Sequence, residues 1–150
     1  MSAWDSVAVA VIFVWLGMVL AISFLEAPLK FRAPGVTLAI GLGIGRLVFR
    51  ALNQAESVLA AVLASCVLWG HQSGSLLSAG PVTGAGGISV AMLVAQQVFV
   101  RPRLTKRSDA VLAGFEGPRS RAHLAYIGLE VVKVAGLLVA GVLLLSRATV

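Results

Sequence analysis

The sequence predicts an all-α integral membrane protein folded as a four-helix bundle, and three observations support this. Apolar residues make up 59% of the 150 residues and charged residues only 12%, against roughly 45–50% and about 25% in soluble domains. A soluble domain of this size cannot bury so much apolar surface. The apolar residues form four stretches, and the basic residues lie between the first and second and between the third and fourth. One transmembrane domain over residues 1–150 is therefore expected.

The first two spans are predicted at about 7–26 and 47–70. Residues 1–6 contain no lysine or arginine, so the first stretch does not have the basic leader of a signal peptide. The uncharged segment 57–70 is too short to cross a bilayer core, which takes about 20 residues of helix. The second helix must therefore begin near Leu47. The glycine-containing stretch before it is expected to be a short amphipathic interfacial helix, with an extension of the second span as the alternative.

The third and fourth spans are predicted at about 81–100 and 122–145. Between them lies a basic loop, 101–121, in which residues 104–113 could form a surface helix that ends at Gly114. The loop between the first two spans, 27–46, is also basic. Because positive residues favour the cytoplasmic side, both basic loops are predicted to be cytoplasmic and both termini outside (N-out/C-out). The expected location is the plasma membrane, which is the inner membrane of a bacterium.

The net charge of +6 is explained by this distribution and does not indicate a nucleic-acid partner. The basic residues do not alternate regularly with aromatic ones, as they do in single-strand binding surfaces, and no nucleic-acid motif is present. Membrane lipids with anionic headgroups are the expected partners, at about 1 kcal/mol per basic residue near the surface. The predicted headgroup contacts in the second basic loop are Arg101, Arg103, Lys106, Arg107, Arg119 and Arg121.

Three of the six acidic residues lie within or at the ends of spans, although ionisable groups cost a few kcal/mol each inside a membrane. On the fourth helix, the residues from His123 to Lys133 that carry polar groups fall within an arc of about 80°. Serine and glutamine side chains on the first and third spans lie at the same depth, in the predicted cytoplasmic half. The candidate ligand-binding residues are Glu26, Arg50, Asn53, Glu56, His123, Tyr126, Glu130 and Lys133.

Two interpretations of these polar residues remain open. One is a buried network of ion pairs that fixes the packing of the bundle. The other is a site, open to the cytoplasm, that binds or transports an ion or small polar molecule. A different class of function is an accessory subunit or assembly factor of a larger membrane complex, and a homo-oligomer is compatible with either.

Neither a metal site nor another cofactor is predicted. His71 and His123 are expected at opposite membrane surfaces, about 30 Å apart, so they cannot share one haem iron. A single cysteine, Cys66, excludes a zinc site built from several thiolates. No set of nucleophile, base and acid converges at one depth except the combination of His123, Tyr126 and Glu130, so an enzyme is not favoured.

Two segments resemble a known family. SFLEAPLKF at residues 23–31 and GRLVFRALNQAE at residues 45–56 are similar in layout to the transmembrane protein 205-like family of small four-span membrane proteins. The resemblance covers roughly residues 10–145. It implies a membrane protein associated with tolerance to toxic compounds, and it implies no catalytic residues.

Overall fold

The computed structural model describes residues 2–78, 80–115 and 121–148, and it confirms the all-α four-helix bundle. The helices are α1 (Ala3–Arg32), α2 (Leu38–Gly70), α3 (Gly80–Leu112) and α4 (Arg121–Ala148). All four are long and apolar enough to cross a membrane, and the described residues contain no strand. The fold is therefore that of a multi-pass membrane protein.

The four helices alternate in direction, so the basic segments lie together at one end of the bundle. At this basic end (residues 30–50 and 101–112), Arg46 on α2 forms an ion pair with Asp109 on α3. At the opposite end, which we call the loop end (residues 2–6 and 70–78), the Ser75 hydroxyl donates a hydrogen bond of 2.5 Å to Asp5 at the start of α1. Both basic loops were predicted to lie on the same side of the membrane, and their position at one end of the bundle agrees with that prediction.

Asp5 stabilises the start of α1, and it is buried although its side chain is charged. Its carboxylate accepts hydrogen bonds from the backbone N–H of Ser2 (2.7 Å) and from the Ser2 hydroxyl (2.8 Å). The Ser2 hydroxyl in turn accepts from the Asp5 backbone N–H, which completes a capping box. With the contact to Ser75, this group ties the connection between α2 and α3 to the N-terminus of the bundle.

The structure differs from the sequence prediction before the second span, because no separate interfacial helix is present there. Residues 38–46 are the first turns of α2, which is unbroken to Gly70. The reason is close packing: a Cβ on Gly41 would collide with the Phe31 ring, and one on Gly45 would lie 2.9 Å from Lys30 Nζ. The glycines therefore let the end of α1 lie directly against a continuous α2.

The basic loop after the third span also begins as helix. Residues Arg101–Leu112 continue α3 without a break, and the chain then turns at Gly114, whose φ of 88° is in the left-handed region. The predicted surface helix ended by this glycine is thus present as an extension of α3. At 1.5 Å per residue, α2 and α3 are each about 50 Å long, more than a bilayer core of about 30 Å.

Two helices contain π-helical segments, where the backbone bonds span five residues instead of four. They are Leu20–Glu26 in α1 and Gln96–Val100 in α3. Such segments are rare and are frequent at functional sites. Each lies near the middle of its helix, at the depth where the buried charges of the bundle lie.

The apolar core occupies the half of the bundle nearer the loop end and includes Ile12, Leu63, Val82, Leu137 and Leu144. Next to it, α3 and α4 approach closely at a glycine. A Cβ on Gly136 would meet the Ser89 hydroxyl and would lie 3.0 Å from the Ala85 carbonyl oxygen. Small residues permit this kind of helix contact within membranes.

Candidate functional site

Three ionisable side chains meet at the centre of the bundle: Glu56 on α2, and Glu130 and Lys133 on α4. We call them the buried triad. The side chains of Glu56 and Lys133 are 0% exposed and that of Glu130 is 1% exposed. Lys133 forms ion pairs with both carboxylates, and its Nζ lies 2.9 Å from Glu130 Oε2. The i, i+3 pair predicted on the fourth helix is therefore formed, and Glu56 joins it from another helix.

The ammonium group of Lys133 faces three oxygen atoms. It donates hydrogen bonds to Glu56 Oε1 and, at 2.9 Å, to Gln96 Oε1 on α3, and it forms an ion pair with Glu130 Oε2. An ammonium has three N–H donors and no acceptor. The three surrounding acceptors therefore fit the protonated, positively charged form of Lys133.

Both carboxylate oxygens of Glu130 accept hydrogen bonds. The Ser23 hydroxyl donates to Oε1 at 2.6 Å. The side-chain amide of Gln96 donates to Oε2, which also faces Lys133. Ser23 and Gln96 belong to the π-helical segments of α1 and α3, so both backbone irregularities bring a donor to the same carboxylate.

Only one of the two carboxylate oxygens of Glu56 accepts hydrogen bonds within the described part of the chain. Its Oε1 accepts from the indole N–H of Trp15 at 2.8 Å and from Lys133. Its Oε2 is buried and has no hydrogen-bond partner among the described residues. Buried polar atoms nearly always have a partner, so this oxygen is the exceptional atom of the site.

Further polar groups lie on the side of the triad nearer the basic end. Asn53 and Tyr126 precede Glu56 and Glu130 by about one helical turn, and both are buried. Asn53 Oδ1 and the Tyr126 hydroxyl also have no hydrogen-bond partner among the described residues. The Tyr126 ring packs edge-on against Phe49, with centroids 5.8 Å apart. The unsatisfied polar atoms thus continue from the triad toward the basic end.

Three of the predicted ligand-binding residues lie away from the triad. Glu26 pairs with Lys30 at 3.3 Å and is one-third exposed, and Arg50 and His123 are exposed. His123 has the expected direction around α4 but the wrong depth, because ten residues of helix place it about 15 Å from Lys133. The structure therefore brings together Glu56, Glu130 and Lys133, with Asn53 and Tyr126 beside them.

The predicted headgroup residues are divided between two places. Arg101, Arg103, Lys106 and Arg107 lie on the basic extension of α3, and Arg103 and Lys106 are exposed. Arg121 begins α4, and Arg119 lies outside the described residues. Their contact with anionic headgroups stays a prediction.

Trp15 is a member of the site that was not among the predicted ligand-binding residues. Its ring is fully buried and its indole N–H donates to Glu56. Ser23 and Gln96 were expected only at the right depth, and both are donors to Glu130. Helical periodicity could have linked Trp15 to Ser23. The two residues are eight positions apart, which places them on adjoining parts of one face of α1.

Two grooves lie between α2 and α3, and neither is lined by the triad. One, of about 320 Å³, is lined mainly by small and apolar residues that include Ala64, Gly86 and Gly87. The other, of about 270 Å³, includes Ser57 and Gln97, whose side chains are hydrogen bonded at 2.9 Å. Both grooves are more apolar than the centre of the bundle.

In the described ranges, no group of three or more histidine, cysteine, aspartate or glutamate side chains could hold a metal ion. The two histidines lie at opposite ends, His71 after α2 and His123 at the start of α4. No family model, no curated protein and no solved structure matches the chain.

Proposed function

We propose that the protein binds or transports an ion or small polar molecule at the buried triad, within the plasma membrane. One observation carries the proposal: two acids meet one base in the interior, and one carboxylate oxygen of Glu56 is unpaired. An uncompensated charge in a low-dielectric interior costs several kcal/mol. A helix contact that served packing alone would need only one acid, or none.

The direction of access follows from the uneven surroundings of the triad. Toward the loop end lies the apolar core, with Ile12 and Leu137 fully buried. Toward the basic end lie the unsatisfied polar atoms of Asn53 and Tyr126. Buried polar atoms without protein partners are typical positions for water. This asymmetry supports entry from the basic end, which we place on the cytoplasmic side.

The proposal is tested by the double variant Glu130→Gln with Lys133→Met, which removes one acid together with the base. The purified variant should remain folded, as judged by helical circular dichroism and a single gel-filtration peak. Vesicles containing it should lose triad-dependent uptake of the probes, which are protons (followed with an internal pH dye), sodium, potassium and methylammonium, each tested alone. Glu26→Gln is the matched control, because Glu26 lies outside the triad. Unchanged uptake in the folded double variant would disprove the proposal.

The proposed orientation has its own test. A single cysteine is placed at Lys106 or at Gln72, both exposed, in a Cys66→Ala background. An impermeant maleimide added outside intact cells should label the cysteine at Gln72 and not the one at Lys106. The reverse pattern would place the basic end outside.

A second candidate function is an accessory subunit of a larger membrane complex, or a homo-oligomer. It is favoured by the groove of about 320 Å³ between α2 and α3, where Ala64, Gly86 and Gly87 would let another helix approach closely. Native mass spectrometry after gentle detergent extraction distinguishes the cases by reporting partners, copies and retained anionic lipids. Nucleic acid is not a proposed partner. The resemblance to the transmembrane protein 205-like family suggests tolerance to toxic compounds as the physiological setting.

A further inference from the structure

We propose that the ion held at the triad is a proton, carried by Glu56 Oε2 at neutral pH. This inference rests on the proposed function, because it names the ligand of the same site. It follows from three independent features of the triad: its hydrogen bonds, its total charge and the space around it.

The hydrogen bonds assign a protonation state to each group. Lys133 donates to Glu56 and Gln96 and forms an ion pair with Glu130, as the ammonium form does. Glu130 accepts at both oxygens, as an ionised carboxylate does. Glu56 accepts at Oε1 only, and its Oε2 has no donor facing it. Oε2 is therefore the one carboxylate oxygen of the triad with room for a hydrogen of its own.

The charges lead to the same state. With both carboxylates ionised and Lys133 charged, the triad would have a net charge of −1. The other groups that contact the triad do not compensate this charge: α1 contributes the neutral Trp15 at Glu56, and α3 contributes the neutral Gln96 at Lys133 and Glu130. Besides Glu130 and Lys133, α4 contributes Tyr126, which is also neutral. In the part of the chain that the structure describes, no second cation contacts the triad.

Arg101, on α3, acts electrostatically on Tyr126 and is partly exposed. It makes no ion pair with the triad in the described residues. One proton on Glu56 makes the triad neutral, and a buried group takes up a proton where its charged form is not compensated. Neutrality and the hydrogen bonds thus select the same oxygen.

The space around the triad limits the size of the ligand. The Glu56 and Lys133 side chains are 0% exposed, so a water-sized sphere touches neither of them. Neither groove between α2 and α3 is lined by a triad residue. A metal cation or organic molecule has no room beside Oε2 in this conformation, whereas a proton needs none.

The exchange step is balanced without another reactant. Because the triad is closed to water in this conformation, exchange requires a water molecule that enters from the basic end. The O–H bond of Glu56 then breaks, the electron pair stays on Oε2, and the proton leaves to that water molecule. The triad then has a charge of −1 until a proton returns. The unsatisfied atoms of Asn53 and Tyr126 lie on the side from which water would accept and return it.

Infrared spectroscopy of the protein in vesicles tests the inference, because a protonated carboxylic acid has its own C=O stretching band. At neutral pH, the wild type should show one such band that shifts in heavy water. Glu56→Gln should abolish it. Glu130→Gln should abolish it too, since Glu56 would then neutralise Lys133 as a carboxylate. Lys133→Met should give about twice the wild-type area, because both acids then lack a cation. Glu26→Gln is the control and should leave the band unchanged.

A wild type without the band would overturn the proton assignment, and that measurement does not depend on any variant folding. A band that persists in Glu56→Gln would also overturn it. Failure of the proposed function would give a different result from failure of the proton assignment. The infrared band would then follow the predicted pattern, but uptake of the probes would not depend on the triad. If uptake depends on the triad and the band is absent, the site stands and its ligand is not a proton.

Discussion

Replacing Lys133 with methionine should destabilise the folded protein by about 3–5 kcal/mol, the cost of leaving a buried charge without its partner. Lys133 is 0% exposed and contacts both carboxylates. Methionine has nearly the shape of the lysine stem, so the loss of packing is small. The expected loss is therefore mainly electrostatic. It comes from Glu130, which must either stay charged without its partner or take up a proton in the folded state.

The double variant Glu130→Gln with Lys133→Met should recover most of this loss. Its triad contains an amide, a thioether and the protonated Glu56, and no member has a net charge. The double-mutant cycle should give a coupling free energy of about 2–3 kcal/mol, as found for groups in direct contact. A coupling below about 0.5 kcal/mol, which is the range for independent sites, would refute the reasoning.

The effect of pH provides a second check on Lys133→Met. In this variant the folded state holds protons on buried acids that the unfolded state releases at neutral pH. Because the folded state binds more protons, the free energy of unfolding must fall as pH rises and increase as pH is lowered. Reversible unfolding in mixed detergent micelles, followed by tryptophan fluorescence and circular dichroism, measures both the loss and its slope. A slope of the opposite sign would contradict the buried-acid explanation.

Three further predictions concern the surroundings of the triad, and each is measured by the same unfolding assay. Trp15→Phe keeps the ring but removes the 2.8 Å hydrogen bond to its glutamate partner, so it should cost about 1–3 kcal/mol. The control Trp69→Phe, at an exposed position, should cost close to nothing. Gly136→Ala should cost about 1–3 kcal/mol, because its Cβ would lie 3.0 Å from a carbonyl oxygen of α3. Gly128→Ala, with open space around it, should be neutral or stabilising. Arg46→Ala breaks a largely exposed ion pair between α2 and α3, so it should cost less than about 1 kcal/mol and less still at high salt. A larger cost for Arg46→Ala than for Gly136→Ala would reverse this order.

The number of helices could be predicted because it depends on composition and length, which are local properties. Part of the site followed from helical periodicity, which places Glu130 and Lys133 on one face. Periodicity specifies direction around a helix and not depth in the assembled bundle. This is why His123 shared the predicted face of Lys133 and yet lies exposed near the start of α4.

Other parts of the site depend on contacts between helices, which one sequence does not display. Trp15 is counted among the apolar residues of the first span. Only the position of Glu56 on the neighbouring helix α2 gives its indole N–H an acceptor. The π-helical segments that contain Ser23 and Gln96 change the angular register of α1 and α3, so a regular helical wheel fails across them. Likewise, the glycines of residues 41–45 suggested a separate helix before the second span, whereas Gly41 allows close packing against Phe31 and Gly45 against Lys30.

The separation of the triad along the chain has a consequence for biosynthesis. Glu56 and Lys133 are 77 residues apart, and α2 is made and released to the membrane well before α4. Glu56 must therefore enter the bilayer without its countercharge, at a time when only Trp15, 41 residues earlier, is available as a donor. An acidic residue at the centre of an inserting helix costs about 2.5–3.5 kcal/mol on insertion scales. A glutamate that is inserted in its protonated form avoids much of this cost, and the arrival of α4 then completes the site around it.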